Sequence, residues 1–209
     1  MKLYTIVRDY QHEIIIEKSR FICTLKKVST EEEAQDFIKE IRKKYWDATH
    51  NCSAYIVGEN TAAQRSNDDG EPSGTAGLPM LEVLRKNNLH NVAAVVTRYF
   101  GGIKLGAGGL IRAYTNSVAE AVEKAGIAEK VLFGTFSFIQ DINSVGKVLN
   151  LLYQQELFQI SGVEYGSTAK ILIQFEMDAK QDIENWLTET LNKAVELSKE
   201  DEEYVEREL

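Results

Sequence analysis

The run Val92–Thr97 is wholly apolar or β-branched, and five of the chain's fourteen glycines follow it between Gly101 and Gly109: Gly101, Gly102, Gly106, Gly108 and Gly109. Such a run predicts a strand buried on both faces. Beyond the glycines, Leu110, Ala113, Tyr114, Ser117, Val118 and Ala121 recur at helical spacing, predicting a helix from about Gly109 to Lys124 with Gly126 as its C-terminal cap. A buried strand that feeds a helix through a glycine loop commits this part of the chain to mixed α and β structure.

The flanking segments extend that reading. Glu13–Leu25 mixes β-branched and charged residues as one strand does, and Ser29-Thr30 precede a capped amphipathic helix over about 31–45, with Ala34, Phe37, Ile38 and Ile41 on its apolar face. Cys52–Val57 reads as a strand, Ala62–Gly77 as a long polar loop, and Pro79 as the first turn of a helix ending near Asn87-Asn88. After Gly126 the pattern restarts as strand Val131–Phe138, helix Ile142–Gln155, strands Phe158–Tyr165 and Thr168–Glu176, helix Lys180–Asn192 and a last strand around Val195–Leu197. That β-α-β-β-α-β order predicts a ferredoxin-like second domain. The expected class is therefore α+β in two domains, residues 1–128 and 129–209.

A length of 209 residues suits two domains, and 44% hydrophobic against 27% charged residues suits folded ones. No apolar run approaches the roughly 20 residues of a membrane span, and the first residues lack a signal-peptide pattern, so a cytoplasmic location is expected. Cys23 and Cys52 lie in strand-like runs and read as buried thiols, and three scattered histidines offer no zinc motif. The net charge of −8 opposes nucleic-acid binding until its distribution is seen. Residues 1–128 carry 17 Lys and Arg against 16 Asp and Glu, whereas residues 129–209 carry 7 against 16, much of it in the stretch Glu200–Glu208, read as a solvated end.

The chemistry concentrates in two segments. The glycine loop allows close approach of backbone to ligand, the following helix start attracts anions, and Arg98, Lys104 and Arg112 flank it. With Tyr99 and Phe100 as stacking rings, the candidate phosphate- or RNA-binding set is Arg98, Tyr99, Gly101, Gly102, Lys104, Gly106, Gly108, Gly109 and Arg112. Neither a P-loop nor a Rossmann fingerprint is present, because Ala107-Gly108 and Ile111 stand where those motifs need other residues. The alternative is a purely structural loop. The second segment offers Asp68, Asp69, Glu71, Ser73 and Thr75: its three carboxylates are Mg²⁺ candidates, or else solvated turn residues, or else Asp68 or Asp69 pairs with Arg98 or Arg112 and fixes one loop on the other. Asp47, His50 and Ser19 also invite a nucleophilic triad, but no nucleophile elbow or oxyanion arrangement accompanies them.

The stretches Ser19-Arg20-Phe21-Ile22, Asp68 to Gly77 and Arg98 to Tyr114, taken together, resemble the IMPACT family in its bacterial YigZ-like branch (UPF0029 type). The resemblance implies a first domain similar to domain IV of elongation factor G, a ribosomal-protein-like α+β sandwich, and a second similar to domain V. It also implies a link to translational control, in which eukaryotic relatives take part, and it supplies no catalytic residues. The leading expectation is thus a translation-linked regulatory protein that binds the ribosome or RNA, with no cofactor. A Mg²⁺-dependent phosphotransfer or phosphohydrolase enzyme and a protein-binding adaptor are the alternatives.

Overall fold

The computed structural model describes residues 3–58 and 63–209, which divide into two compact units, Met1–Lys130 with Glu206–Leu209, and Val131–Val205. The described residues contain five α-helices and two five-stranded antiparallel sheets.

In the first unit, β1 is Leu3–Ile6, and β2 (Tyr10–Ile16), β3 (Ser19–Lys27), β4 (His50–Val57), β5 (Ala63–Asn67) and β6 (Val92–Tyr99) form a sheet of order β2-β3-β6-β4-β5. Helix α1 (Glu31–Lys44) packs Ala34, Phe37 and Ile41 against Tyr55, Val57, Ala93 and Val95 on one face. On the opposite face, α2 (Gly77–Lys86) and α3 (Gly106–Ala125) cover Cys52, Ala54, Ile56, Val92, Ala94 and Val96. Strand β6 is central and covered on both faces, which is why its sequence is continuously apolar rather than alternating.

Four local expectations change, and in the second unit the strand expected over Val131–Phe138 spans Ile127–Asp141 and the helix expected over Ile142–Gln155 spans Val145–Leu152. Glu13–Leu25 is not one strand but most of a hairpin, turned at Glu17 and Lys18, whose φ values of 46° and 64° are left-handed. The turn sequence lacks the Asn-Gly or Asp-Gly pair that announces such a turn. The loop expected at Ala62–Gly77 contains β5, which pairs with β4 from Ser53↔Asn67 to Val57↔Ala63; Ala62 lies outside the described residues. Its sequence, AQRSN, has no apolar alternation to reveal a strand. Helix α3 begins at Gly106, three residues before the expected Gly109.

The fourth change concerns the last strand. Strand β7 (Ile127–Asp141) pairs through Ile127–Lys130 with β1 and through Phe133–Asp141 with β9 (Thr168–Glu176), which pairs in turn with β8 (Gln159–Tyr165). Helices α4 (Val145–Leu152) and α5 (Lys180–Leu191) share one core with the sheet, built on Phe136, Phe138, Ile171 and Ile173. Strand β10, Ser198–Glu208, pairs with β7 and completes the ferredoxin-like order β10-β7-β9-β8. It lies downstream of the expected Val195–Leu197, and Leu197 is a buried core residue. The end read as solvated is indeed exposed along its whole length, but it is a strand, and some of its carboxylates have partners: Glu200 accepts from Ser137 and pairs with Lys170, and Glu203 accepts from Gln174. Those bonds, from Lys170 first and then Ser137, hold the Glu200 carboxyl below its usual range.

Candidate functional site

The segment between β5 and α2 is organised by its three carboxylates, each turned to a different task. Asp68 accepts the backbone N–H groups of Gly74 (2.8 Å), Ala76 (3.1 Å) and Gly77 (2.8 Å). It does for α2 what an N-cap side chain would, since Ala76 has no side chain to offer. Burial pushes the Asp68 carboxyl up, but the three N–H bonds together outweigh it and lower its pKa. Gly77 is required here, because a Cβ would stand 2.6 Å from the Asn67 backbone nitrogen.

Asp69 turns the other way, with φ 44°, and takes bonds from Arg42 Nη2 (2.9 Å) and the Asn51 N–H (2.6 Å). Its carbonyl oxygen lies 2.8 Å from His50 Nδ1. A carbonyl can only accept, so Nδ1 carries the proton, and in neutral His50 the Nε2 lone pair is free.

Glu71 points inward and is the hub of the region. One oxygen, Oε1, accepts from Arg98 Nη1 at 2.6 Å and from the Tyr114 hydroxyl at 2.8 Å, while Oε2 lies 3.8 Å from His50 Nε2. Arg98 is only 5% exposed and Glu71 8%, with the guanidinium over the Phe21 and Phe100 rings. Cys52 Sγ continues the chain, 3.3 Å from the Tyr114 hydroxyl and 2.9 Å from the Asp68 carbonyl. Burial first, then the neighbouring Cys52 and Glu71, pushes the Tyr114 hydroxyl far up, and burial pushes the Cys52 thiol up to about 12. Both groups are therefore proton donors and not nucleophiles.

These placements revise the expected site. Arg98 does not stand at the open surface: it is buried, with one guanidinium nitrogen bonded to Glu71 and part of the side chain in a cavity wall. The acidic loop is tied to β6 by Glu71–Arg98 and to α1 by Asp69–Arg42, rather than to the glycine loop by Asp68 or Asp69 with Arg98 or Arg112. The three carboxylates diverge, and the described residues contain no group of three His, Cys, Asp or Glu placed to share a metal ion. Thr75 is buried with its hydroxyl donating to the Pro72 carbonyl, while Ser73 is exposed. Ser19, His50 and Asp47 form no triad: Ser19 Oγ accepts the Gly101 N–H, His50 binds Asp69, and Asp47 accepts the Tyr99 hydroxyl.

The glycine segment divides by purpose. Gly101 is a packing glycine, whose Cβ would come within 2.0 Å of the Lys18 carbonyl carbon. Gly102 and Gly106 are conformational, with φ of 88° and 66° and open space above them. Gly108 leaves room beside the Arg112 guanidinium, and a Cβ on Gly109 would press on Leu105. Gly106, Ala107 and Gly108 are exposed, as are Lys104 and Arg112, and Phe100 is 47% exposed. Tyr99 is half-buried beneath Arg20 and held by Asp47. At the start of α3, Leu105 provides no side-chain cap and the first turn has no acidic residue, so the first N–H groups face outward without a side-chain acceptor.

Beside that helix start lies a cavity of about 310 Å³ lined by His50, Glu71, Arg98, Phe100, Lys104 and Gly106, among others. The site thus joins β4, the loop before α2, the end of β6 and the start of α3. Tyr114 has the sequence signature of an ordinary apolar-face residue, and no motif marks Cys52 as its neighbour or Arg42 as the partner of Asp69.

Residues 17–122 match the Impact N-terminal domain. The chain is 48% identical to the IMPACT family member YvyE of Bacillus subtilis over 98% of its own length and 94% of that protein's. It is 38% identical to the IMPACT family member YigZ of Escherichia coli, covering 66% of this chain and 74% of the relative. Among solved structures, a hypothetical protein aligns over 96% of this chain and 98% of its own, at 27% identity and a TM-score of 0.60. The motif stretches, the buried network they build and these likenesses agree: the chain belongs to the IMPACT family.

Proposed function

We propose that this chain is a translation-linked regulatory protein that meets the ribosome or RNA through the exposed side of the glycine segment. The observation that carries the reading is the start of α3, a helix N-terminus without side-chain cap or acidic residue, flanked by exposed Lys104 and Arg112. Phosphates are the natural occupants of such a place, because the N–H groups, the helix dipole and the two cations all favour negative charge. Phe100, exposed although the Arg98 guanidinium lies over its ring, is the ring left to stack a base, whereas Tyr99 is held by Asp47. Arg98 acts from beneath, fixing the loop carrying Glu71 against β6 so that the surface is presented in one conformation.

Family membership supports the same reading through the link to translational control that the resemblance implies. The resemblance of residues 1–128 and 129–209 to domains IV and V of elongation factor G fits a ribosomal setting, and a cytoplasmic location goes with it. No cofactor is proposed; among the described residues Asp68, Asp69 and Glu71 are each bonded to different partners.

Cosedimentation with bacterial ribosomes over a salt series tests the reading. The wild type is expected to pellet with ribosomes at low salt and to release as salt rises. A Lys104→Glu, Arg112→Glu variant should reduce the slope of log affinity against log salt by about 1.5 to 2, the loss of two phosphate contacts. Absence of cosedimentation at low salt, or an unchanged slope in the variant, would count against it.

A further inference from the structure

We infer that the cavity beside the start of α3 is a binding site for a single nucleotide carrying a terminal phosphate, either a free nucleoside monophosphate or the 5′-phosphorylated end of an RNA chain. The inference rests on the reading of the glycine segment as phosphate-facing and narrows it to one pocket and one chemical group.

Three observations converge. Arg98 lines the cavity, is 5% exposed and donates only Nη1 to Glu71, while its Nε is buried without a hydrogen-bond partner. Nε itself is covered, as Arg42 Nε is elsewhere, but a guanidinium offers five N–H donors, so an arginine in a cavity wall whose recorded bond uses Nη1 alone keeps donors for an acceptor that enters the cavity. Gly106 and Ala107 line the same cavity at the uncapped start of α3, and Lys104 adds a positive charge there. With Glu71 balancing one charge, the wall remains net positive. Gly106 holds a left-handed φ with nothing within 4 Å of where its Cβ would be, leaving the backbone open to an anion.

The remaining lining selects a nucleotide over a bare anion. Phe100 offers a partly exposed ring for a base. His50, whose Nδ1 is committed to the Asp69 carbonyl, lines the cavity with Nε2 3.8 Å from Glu71 Oε2 and offers that nitrogen to a ribose hydroxyl. A cavity of about 310 Å³ is at the small end of ligand sites and suits one nucleotide, not a longer stretch.

The test is calorimetric titration of the full chain with inorganic phosphate, adenosine 5′-monophosphate, adenosine, and a short RNA with either a 5′-phosphate or a 5′-hydroxyl. The monophosphate is expected to bind at least tenfold more tightly than adenosine or inorganic phosphate, or the phosphorylated RNA at least tenfold more tightly than its hydroxyl counterpart. Binding of the mononucleotide identifies the free source, and binding of the phosphorylated RNA alone identifies the chain end. Ala107→Asp sets a carboxylate on the helix start, where it favours folding but repels phosphate, and should weaken binding about tenfold with the melting temperature unchanged or raised. Lys104→Ala should weaken it similarly. Equal binding of adenosine and its monophosphate together with equal binding of the two RNAs overturns the inference, as does an Ala107→Asp variant of unchanged affinity. Ribosome cosedimentation that persists without any phosphate-end binding sinks this inference alone; nucleotide binding without cosedimentation sinks the ribosomal reading alone.

Discussion

At the scale of single residues, the contact with most at stake is Glu71–Arg98. Removing one partner of a buried ion pair strands the other charge, so Glu71→Gln is expected to cost about 3–5 kcal/mol in urea unfolding. Pairing it with Arg98→Met should cost markedly less than the two single changes added together, because the stranded charge is gone. Asp68 sets a pH dependence. Its folded pKa is below the unfolded one, so its contribution is complete above the unfolded value of about 4 and is lost as pH falls through the folded value. Unfolding free energies measured from pH 5 down to pH 2 should therefore fall less steeply for Asp68→Asn than for the wild type, after an initial loss of about 1 kcal/mol from the missing helix cap. The importance of these residue types was readable in the motif stretches. Their pairing was not, because three carboxylates within four positions can be assigned to three cations in many ways and only the turn at Asp69 and Gly70, both with positive φ, decides among them.

Among the elements, α1 was legible nearly residue for residue because its signals are local. Thr30 Oγ1 accepts the Glu33 N–H at 3.1 Å and Glu33 reaches back to the Ser29 N–H at 2.6 Å, the reciprocal pair that the sequence announces. Thr30→Ala should cost about 1 kcal/mol of stability by the same denaturant measurement, and adding Glu33→Ala should cost less than the independent sum. The β2–β3 hairpin, β5 and β10 were misread for the opposite reason. Their strand character comes from hydrogen bonds to neighbours distant in the chain, and AQRSN or SKEDEEYVERE contains no alternation because at least one side meets solvent or charge.

For the whole molecule, burial makes both thiols markers of opening. Cys52 is pushed up to about 12 and Cys23 beyond that, so the native thiolate population at neutral pH is about a thousandfold or more below that of an unfolded chain. A disulfide reagent should react with neither cysteine in native buffer on the timescale in which it titrates both in denaturant; prompt reaction of one thiol in the native protein would contradict the packing of the first unit's sheet. The sequence by itself determined the local periods: which runs become helix or buried strand, where α1 is capped and Gly126 ends α3, and that a glycine segment separates β6 from α3. Only the tertiary structure decided where the charges point. Arg98 continues the face of β6 that carries Val92, Ala94 and Val96, and that face is roofed by α3, so the arginine that sequence placed beside the glycine loop is drawn inward to Glu71. A strand covered on both sides has no polar face to read, and which helix lies over which face is a property of the fold rather than of any window of residues.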